Sequence, residues 1–282
     1  MCTTCGCSDD AQMRLTKLDG STHSHEHTHA DGSTHSHEHA HEHEHEHEHK
    51  HENSAESVGL RQAPDKSIQI EQDILFKNNL KADENRRYFH ERSILALNLV
   101  SAPGSGKTTL LEKTILALKN KVVINVLEGD QETANDAQRI RATGIDVIQI
   151  NTGAGCHLES KIVSTGLKQL NPENGSILFI ENVGNLVCPA LFDLGERSKV
   201  AILSVTEGED KPLKYPHMFK AASILILSKI DLLPYLKFDI DLCIKNALIV
   251  NPEIRIIKVS ALSGEGLSEW IQLIEAMLQK PL

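Results

Sequence analysis

The run Leu95-Ala-Leu-Asn-Leu-Val100 passes directly into Ser101-Ala-Pro-Gly-Ser-Gly-Lys-Thr108, and no other stretch of the chain narrows the possible folds as much. An apolar segment of strand length, a glycine-rich turn and then the helical pattern Leu110 to Leu118 give strand, phosphate loop and helix in the order a P-loop needs. Backbone N–H groups of Gly104, Ser105 and Gly106 would point at an anion, where the helix dipole also favours negative charge. Lys107 would reach the β- and γ-phosphates, the Thr108 hydroxyl would ligate Mg²⁺, and Thr109 would stand beside them. Ser101 occupies the place of the first glycine in G-x-x-x-x-G-K-[ST], where a small residue is expected to tolerate the turn. An ordinary glycine-rich turn between strand and helix would need no Gly-Lys-Thr-Thr.

A chain of 282 residues is long enough for one sizeable α/β domain with appendages. Its net charge of −10 argues against a nucleic-acid binder. No run approaches the ~20 apolar residues of a membrane span. The N-terminus carries no apolar signal core either, so a cytoplasmic protein is expected. Six cysteines in that reducing compartment read as metal ligands or buried thiols rather than disulfides.

Residues 1–7 hold Cys2, Cys5 and Cys7, three thiols that can converge on one soft metal ion. The terminal amine could complete a planar S₃N set suited to Ni(II), and a tetrahedral zinc site is equally allowed by residue type. A redox Cys-x-x-Cys is the competing reading, though such motifs sit beside a βαβ unit and this one lies on a bare terminus. Thirteen of the 16 histidines fall between His23 and His51, mostly alternating with glutamate. Both faces of such a strand would be polar, so residues 8–65 are expected to be a disordered tail and linker whose imidazoles buffer divalent metals. Residues 66–92, with Ile70, Ile74 and Leu75 at helical spacing, predict an amphipathic helix flanking the domain at 93–282.

Within that domain seven apolar runs alternate with helical patterns: Leu95–Val100, Val122–Leu127, Ile145–Ile150, Ile177–Ile180, Lys199–Val205, Ile224–Leu227 and Arg255–Val259. They predict an open, mostly parallel α/β sheet with helices on both faces and ligands at the carboxyl ends of the strands. The sixth run ends in Ser228-Lys-Ile-Asp231, close to the Asn-Lys-x-Asp of guanine-nucleotide proteins. There the Asp231 carboxylate would accept from the guanine N1–H and N2–H₂ groups, which adenine cannot offer. Ser228 replaces the usual asparagine before Lys229, and Ser260-Ala261 resembles the loop that backs the base. Together these motifs read as a GTPase, with ATP as the minor alternative.

The chain resembles the HypB family of nickel-incorporation GTPases of hydrogenase maturation. The resemblance rests on the terminal cysteines, the Pro-Gly-Ser-Gly-Lys-Thr-Thr loop, Glu128-Gly-Asp-Gln, Asn151-Thr-Gly with Gly155-Cys-His-Leu158, Glu181-Asn-Val-Gly-Asn-Leu-Val-Cys-Pro189 and Val205-Thr-Glu-Gly-Glu-Asp-Lys-Pro212. It implies a P-loop GTPase of the signal-recognition and nitrogenase-iron-protein class that dimerises when GTP binds. It also implies a tight nickel site at Cys2, Cys5 and Cys7, and a weaker nickel or zinc site at Cys156, His157 and Cys188. The partners it implies are the nickel chaperone HypA and the [NiFe]-hydrogenase large subunit, with SlyD as a further candidate. By spacing alone, adjacent Cys156 and His157 can face one ion only in a loop, and two buried thiols with an incidental histidine remain the bland alternative.

For catalysis, Lys107 and Mg²⁺ would stabilise γ-phosphoryl charge, and Asp130 would hold Mg²⁺ through water or orient the attacking water. Glu181 stands in the place of the aspartate of Asp-x-x-Gly, with Gly184 as γ-phosphate sensor. Cys243, in an apolar helical pattern, reads as a core thiol, while His90 and His217 have no evident partner. A small-molecule kinase and a passive metal store are the competing functions.

Overall fold

The computed structural model describes residues 14–17, 66–131, 135–153 and 155–280; the Cys2, Cys5, Cys7 motif and the histidine tract lie outside them. In chain order the elements are β1 (Arg14–Lys17), α1 (Lys66–Glu91), β2 (Leu95–Ser101), α2 (Lys107–Leu118), β3 (Ile124–Asp130) and α3 (Asn135–Arg141). There follow β4 (Asp146–Asn151), α4 (Ser160–Leu170), β5 (Ile177–Glu181), α5 (Cys188–Leu191), β6 (Ser198–Ser204), α6 (Lys211–Lys214) and α7 (Pro216–Ala221). Last come β7 (Ile224–Ser228), a 3₁₀ turn at Ile230–Tyr235, α8 (Ile240–Val250), β8 (Arg255–Val259) and α9 (Leu267–Leu278). The sheet order is β1-β4-β3-β5-β2-β6-β7-β8. All seven strands from β2 to β8 run parallel, as their apolar runs predict.

Period-two alternation divides each central strand between two helical layers. Leu95, Leu97 and Leu99 of β2 pack with Leu111 and Ile115 of α2, Ile140 of α3 and Trp270 of α9. Ala96 faces the opposite layer with Phe89 of α1 and Val163 and Leu167 of α4, while Val100 joins Phe219 of α7 and Cys243 of α8. Cys243 is a core thiol, and burial raises its pKa to about 12. Among the described residues no helix is long and apolar enough to cross a membrane.

Three features depart from expectation. The strand expected at Val122–Leu127 is observed at Ile124–Asp130, because its ladder continues through polar residues, with Glu128 opposite Gln149 and Asp130 opposite Asn151. Inside the stretch 8–65, expected to carry no structure, Arg14–Lys17 pairs antiparallel with β4 and covers what would otherwise be an open sheet edge. The helix at Lys66–Glu91 is present, but Ile74 is 38% exposed and the docking face is Asn78, Ala82, Asn85 and Phe89. Asn78 Nδ2 donates to the Asp193 carbonyl at 2.7 Å, and Asn85 Nδ2 donates to the carbonyls of Ser160 and Leu194 at 2.9 and 3.0 Å. The amide N–H of Ser160 in turn reaches Asn78 Oδ1 at 2.9 Å. Polar side chains close this seam because it lies over loop backbone whose N–H and C=O groups need partners.

Candidate functional site

Every loop singled out for nucleotide chemistry leaves the carboxyl end of a strand on one edge of the sheet. The phosphate loop follows the central strand β2. Ser101 completes that strand opposite Ile202, in ordinary extended pairing, so no glycine is needed there. Left-handed backbone is confined in this loop to Gly104 (φ 74°) and Gly106 (φ 93°), the latter capping α2. A cavity of about 470 Å³ opens above them, lined by Gly104, Ser105, Gly106, Lys107, Thr108, Thr109, Glu128, Asp130, Gly184 and Lys229 among others.

Glu181 ends β5 beside this loop and is buried. Its Oε1 accepts from Thr108 Oγ1 at 2.6 Å and from Lys107 Nζ at 3.2 Å. Its Oε2 is buried without a hydrogen-bond partner, as is Oε2 of Glu128, which sits opposite Glu181 in the β3–β5 register. Glu181 and the Thr108 hydroxyl bonded to it are hard oxygen donors of the kind Mg²⁺ takes, and the Glu128 carboxyl opposite Glu181 could join them on losing its proton. Asp130 closes β3 at the cavity wall, its Oδ1 accepting from the Gln131 N–H at 2.8 Å. A Cβ on Gly184 would lie 3.1 Å from Pro103 Cα, so the loop after β5 abuts the phosphate loop.

Burial first, and then the nearby Glu181 and Asp130, push the Glu128 carboxyl up to about 9. A raised carboxyl pKa means that the folded chain keeps a proton which the unfolded chain has already released. Stability from this group is therefore complete below the ordinary carboxyl range and falls as pH climbs towards 9. Between pH 5.5 and 8.5 the nucleotide-free protein should lose up to ~4 kcal/mol through Glu128. Glu128→Gln should flatten that slope in urea unfolding at the two pH values, and equal slopes in both proteins would refute the assignment.

The loop after β7 docks on the phosphate loop. Ser228 Oγ donates to the Ser105 carbonyl at 2.7 Å, and Lys229 Nζ to the Gly104 carbonyl at 2.6 Å, with Lys229 itself left-handed (φ 59°). Ser228 thus makes a buried contact with the phosphate loop from the position where asparagine is usual. Asp231 Oδ1 accepts from Ser260 Oγ, which joins the Ser260-Ala261 loop to it.

On the other side of β5 a second group assembles. Cys156 Sγ lies 2.9 Å from Cys188 Sγ and 3.6 Å from His157 Nδ1, and the three ligand atoms fall within 4.8 Å of one another. The His157 ring stacks 3.8 Å from Phe192, and burial lowers its pKa to about 4, leaving a neutral imidazole near pH 7. Its Nε2 is buried without a hydrogen-bond partner, 4.0 Å from Glu159 Oε1. Two thiols and a neutral imidazole suit a borderline divalent cation.

Asn182, which follows Glu181, connects the two groups. Its Oδ1 accepts from the N–H of Leu158, next to His157, at 3.2 Å and from that of Val183 at 3.0 Å. Its Nδ2 donates to Asn98 Oδ1 of β2 at 3.2 Å, and Asn98 donates to Glu196 at 3.0 Å. Lys199, 3.8 Å from Glu196, donates to the Pro189 and Phe192 carbonyls at 2.7 and 3.2 Å, so it grips the turn that carries Cys188. Sequence reasoning assigned no role to Glu128, Asn182, Lys199 or Arg139. The first two lie inside the quoted motifs, whereas Lys199 and Arg139 carry no motif signal. Arg139 of α3 also lines the cavity.

Residues 95–258 match the family model described as CobW/HypB/UreG, nucleotide-binding domain. The hydrogenase maturation factor HypB of Escherichia coli (strain K12) is 60% identical over 210 residues, covering 74% of this chain and 72% of the relative. That of Azotobacter chroococcum mcd 1 is 59% identical over 221 residues, covering 78% and 72%. Among solved structures, HypB from Helicobacter pylori in complex with nickel aligns with a TM-score of 0.69 and 36% identity, covering 72% of this chain and 95% of that one. HypB from Archaeoglobus fulgidus aligns with a TM-score of 0.68 and 37% identity, covering 72% and 99%.

Proposed function

The chain belongs to the CobW/HypB/UreG nucleotide-binding family and, within it, to the HypB hydrogenase maturation factors, and from that membership we propose that it is a cytoplasmic GTPase which delivers nickel to the large subunit of a [NiFe]-hydrogenase. One observation carries the reading furthest. The phosphate loop and the Cys156, His157, Cys188 group lie on either side of a single segment, Glu181–Pro189, in which Glu181 accepts from Thr108 of the phosphate loop and Asn182 accepts from Leu158, next to His157. A protein that only stored metal would have no use for that arrangement, and a small-molecule kinase would have no use for the thiols.

In this reading, GTP seats its phosphates on the N–H groups of Gly104, Ser105 and Gly106 and on the first turn of α2, with Asp231 at the base edge. Thr108 and Glu181 would hold Mg²⁺, which neutralises charge on the β- and γ-phosphates when bound. Lys107 leaves its bond to Glu181 and turns to the γ-phosphoryl, while Asp130 orients the attacking water. Nickel is cargo rather than a catalytic group. Cys156, His157 and Cys188 receive it or zinc, Cys2, Cys5 and Cys7 hold it more tightly, and the histidine tract stores it. GTP-driven homodimerisation, HypA as donor and SlyD as a further partner complete the proposal.

Phosphate release from GTP and ATP, with and without nickel, tests it. The expected result is hydrolysis of GTP alone at a rate that responds to nickel, reduced about 100-fold or more in Lys107→Ala. Deleting His23–His51 should lower the bound nickel and leave hydrolysis intact. Nickel binding with no hydrolysis would leave a passive store, and transfer to a small acceptor in place of water would make the chain a kinase.

A further inference from the structure

We propose that Arg139 is a nucleotide-binding residue whose guanidinium contacts the phosphates that GDP and GTP share, at the α end of the phosphate site; this rests on the nucleotide reading given above. Arg139 projects from α3 into the wall of the cavity that holds Lys107 and Lys229. Its Nη2 donates to Thr109 Oγ1 at 3.1 Å, on the first turn of α2. Nε and Nη2 grip the Glu112 carboxylate at 3.1 and 2.8 Å, and Nη1 donates to Asp136 at 3.2 Å. The side chain stays 43% exposed, so the guanidinium is accessible to a ligand in the cavity.

The phosphate loop divides the work along its length. Lys107 and Thr108 are tied to Glu181, which places them at the γ end. Thr109 is one residue further into the helix, and Arg139 reaches it from α3, whereas Glu181 reaches Thr108 from the end of β5. A P-loop backbone cradles the α- and β-phosphates while its lysine reaches the β- and γ-phosphates, so a second cation at Thr109 faces the charge the lysine leaves uncovered. A guanidinium fork fits a phosphate as it fits a carboxylate, and the polyphosphate chain as a whole offers more negative charge than Glu112. Glu112 and Asp136 then act as the rest that holds Arg139 at the cavity before a nucleotide arrives.

The test measures equilibrium binding of GDP and of a non-hydrolysable GTP analogue to the full chain with Mg²⁺. Arg139→Ala should weaken both by about tenfold or more and by the same factor, since the contact is to phosphates common to both. Arg139→Gln, which keeps the stem and a donor towards Glu112, should show the same loss and guard against a folding effect. Glu112→Gln should keep or tighten binding, because it frees the guanidinium. If Glu112→Gln reproduces the loss, Arg139 is only a strut between α2 and α3 and the proposal falls. It falls equally if Arg139→Ala weakens the GTP analogue alone or neither nucleotide. Absence of nucleotide binding in the unaltered chain would instead remove the nucleotide reading, and this proposal with it.

Discussion

Asp231→Asn is expected to exchange a guanine preference for a xanthine one. Guanine offers N1–H and N2–H₂ together, and an aspartate carboxylate accepts from both, whereas adenine offers no such pair of donors. Xanthine has a carbonyl in place of the amino group, and an asparagine amide can donate to it. When such a site is fully realised the discrimination is ~10⁴ or more, so this substitution should produce the largest change in nucleotide choice available in the chain. The bond from Ser260 Oγ fixes the Asp231 carboxylate, and Ser228 and Lys229 fasten the same loop to the phosphate loop. Loss of guanine affinity should therefore come without loss of the fold. Competition among GDP, XDP and ADP for the unaltered and substituted chains measures it, and ATP competing equally with GTP in the unaltered protein would overturn the guanine assignment.

Cys188→Ala should abolish the metal binding proposed for Cys156, His157 and Cys188 with little effect on nucleotide affinity in the metal-free protein. Losing a direct ligand should cost more than the ~10–100-fold that loss of an outer partner costs. The unaltered site should also read the nucleotide state. Gly184 abuts Pro103, and loops of this kind shift when the γ-phosphate leaves. Asn182 carries any such shift directly to Leu158 and hence to His157. Movement of an ångström exceeds the ~0.2 Å tolerance of a metal–ligand bond, so GDP and GTP states should hold nickel with affinities differing ~5–150-fold. Linkage requires nickel to alter nucleotide affinity by the same factor. Titrating nickel into a chain that keeps β1 but has Cys2, Cys5 and Cys7 replaced by serine and His23–His51 deleted, with GDP and with a GTP analogue, measures both directions. Identical affinities in the two states would end the coupling.

Much of the fold is legible because each of β2 to β8 is an apolar run that stops at a polar cluster. The ladder of β3 runs past its apolar residues only because β4 and β5 continue beside it, a condition set by distant chain. The docking face of α1 is illegible for a related reason. Asn78 and Asn85 look like solvent-facing residues until the carbonyls of Ser160, Asp193 and Leu194 are brought beneath them. At the candidate site the phosphate loop and Asp231 announce themselves as local motifs. That Cys188 reaches Cys156 across 32 residues depends on β5 carrying the Glu181–Pro189 segment back beside the loop after β4. Arg139 had no signal at all, since one arginine in a short charged helix resembles a solvated face.

The segment shared with the wider family begins at residue 95, yet the clasp over the thiol–imidazole group lies before it. Asn78 and Asn85 of α1 hold Ser160, three residues beyond His157, and Asp193–Leu194, which closes the turn bearing Cys188. The two arms that supply the candidate ligands are thus stitched together from outside the common nucleotide-binding body. The spacing of Cys156 and Cys188 therefore rests in part on a helix that lies outside the segment matched by the family model.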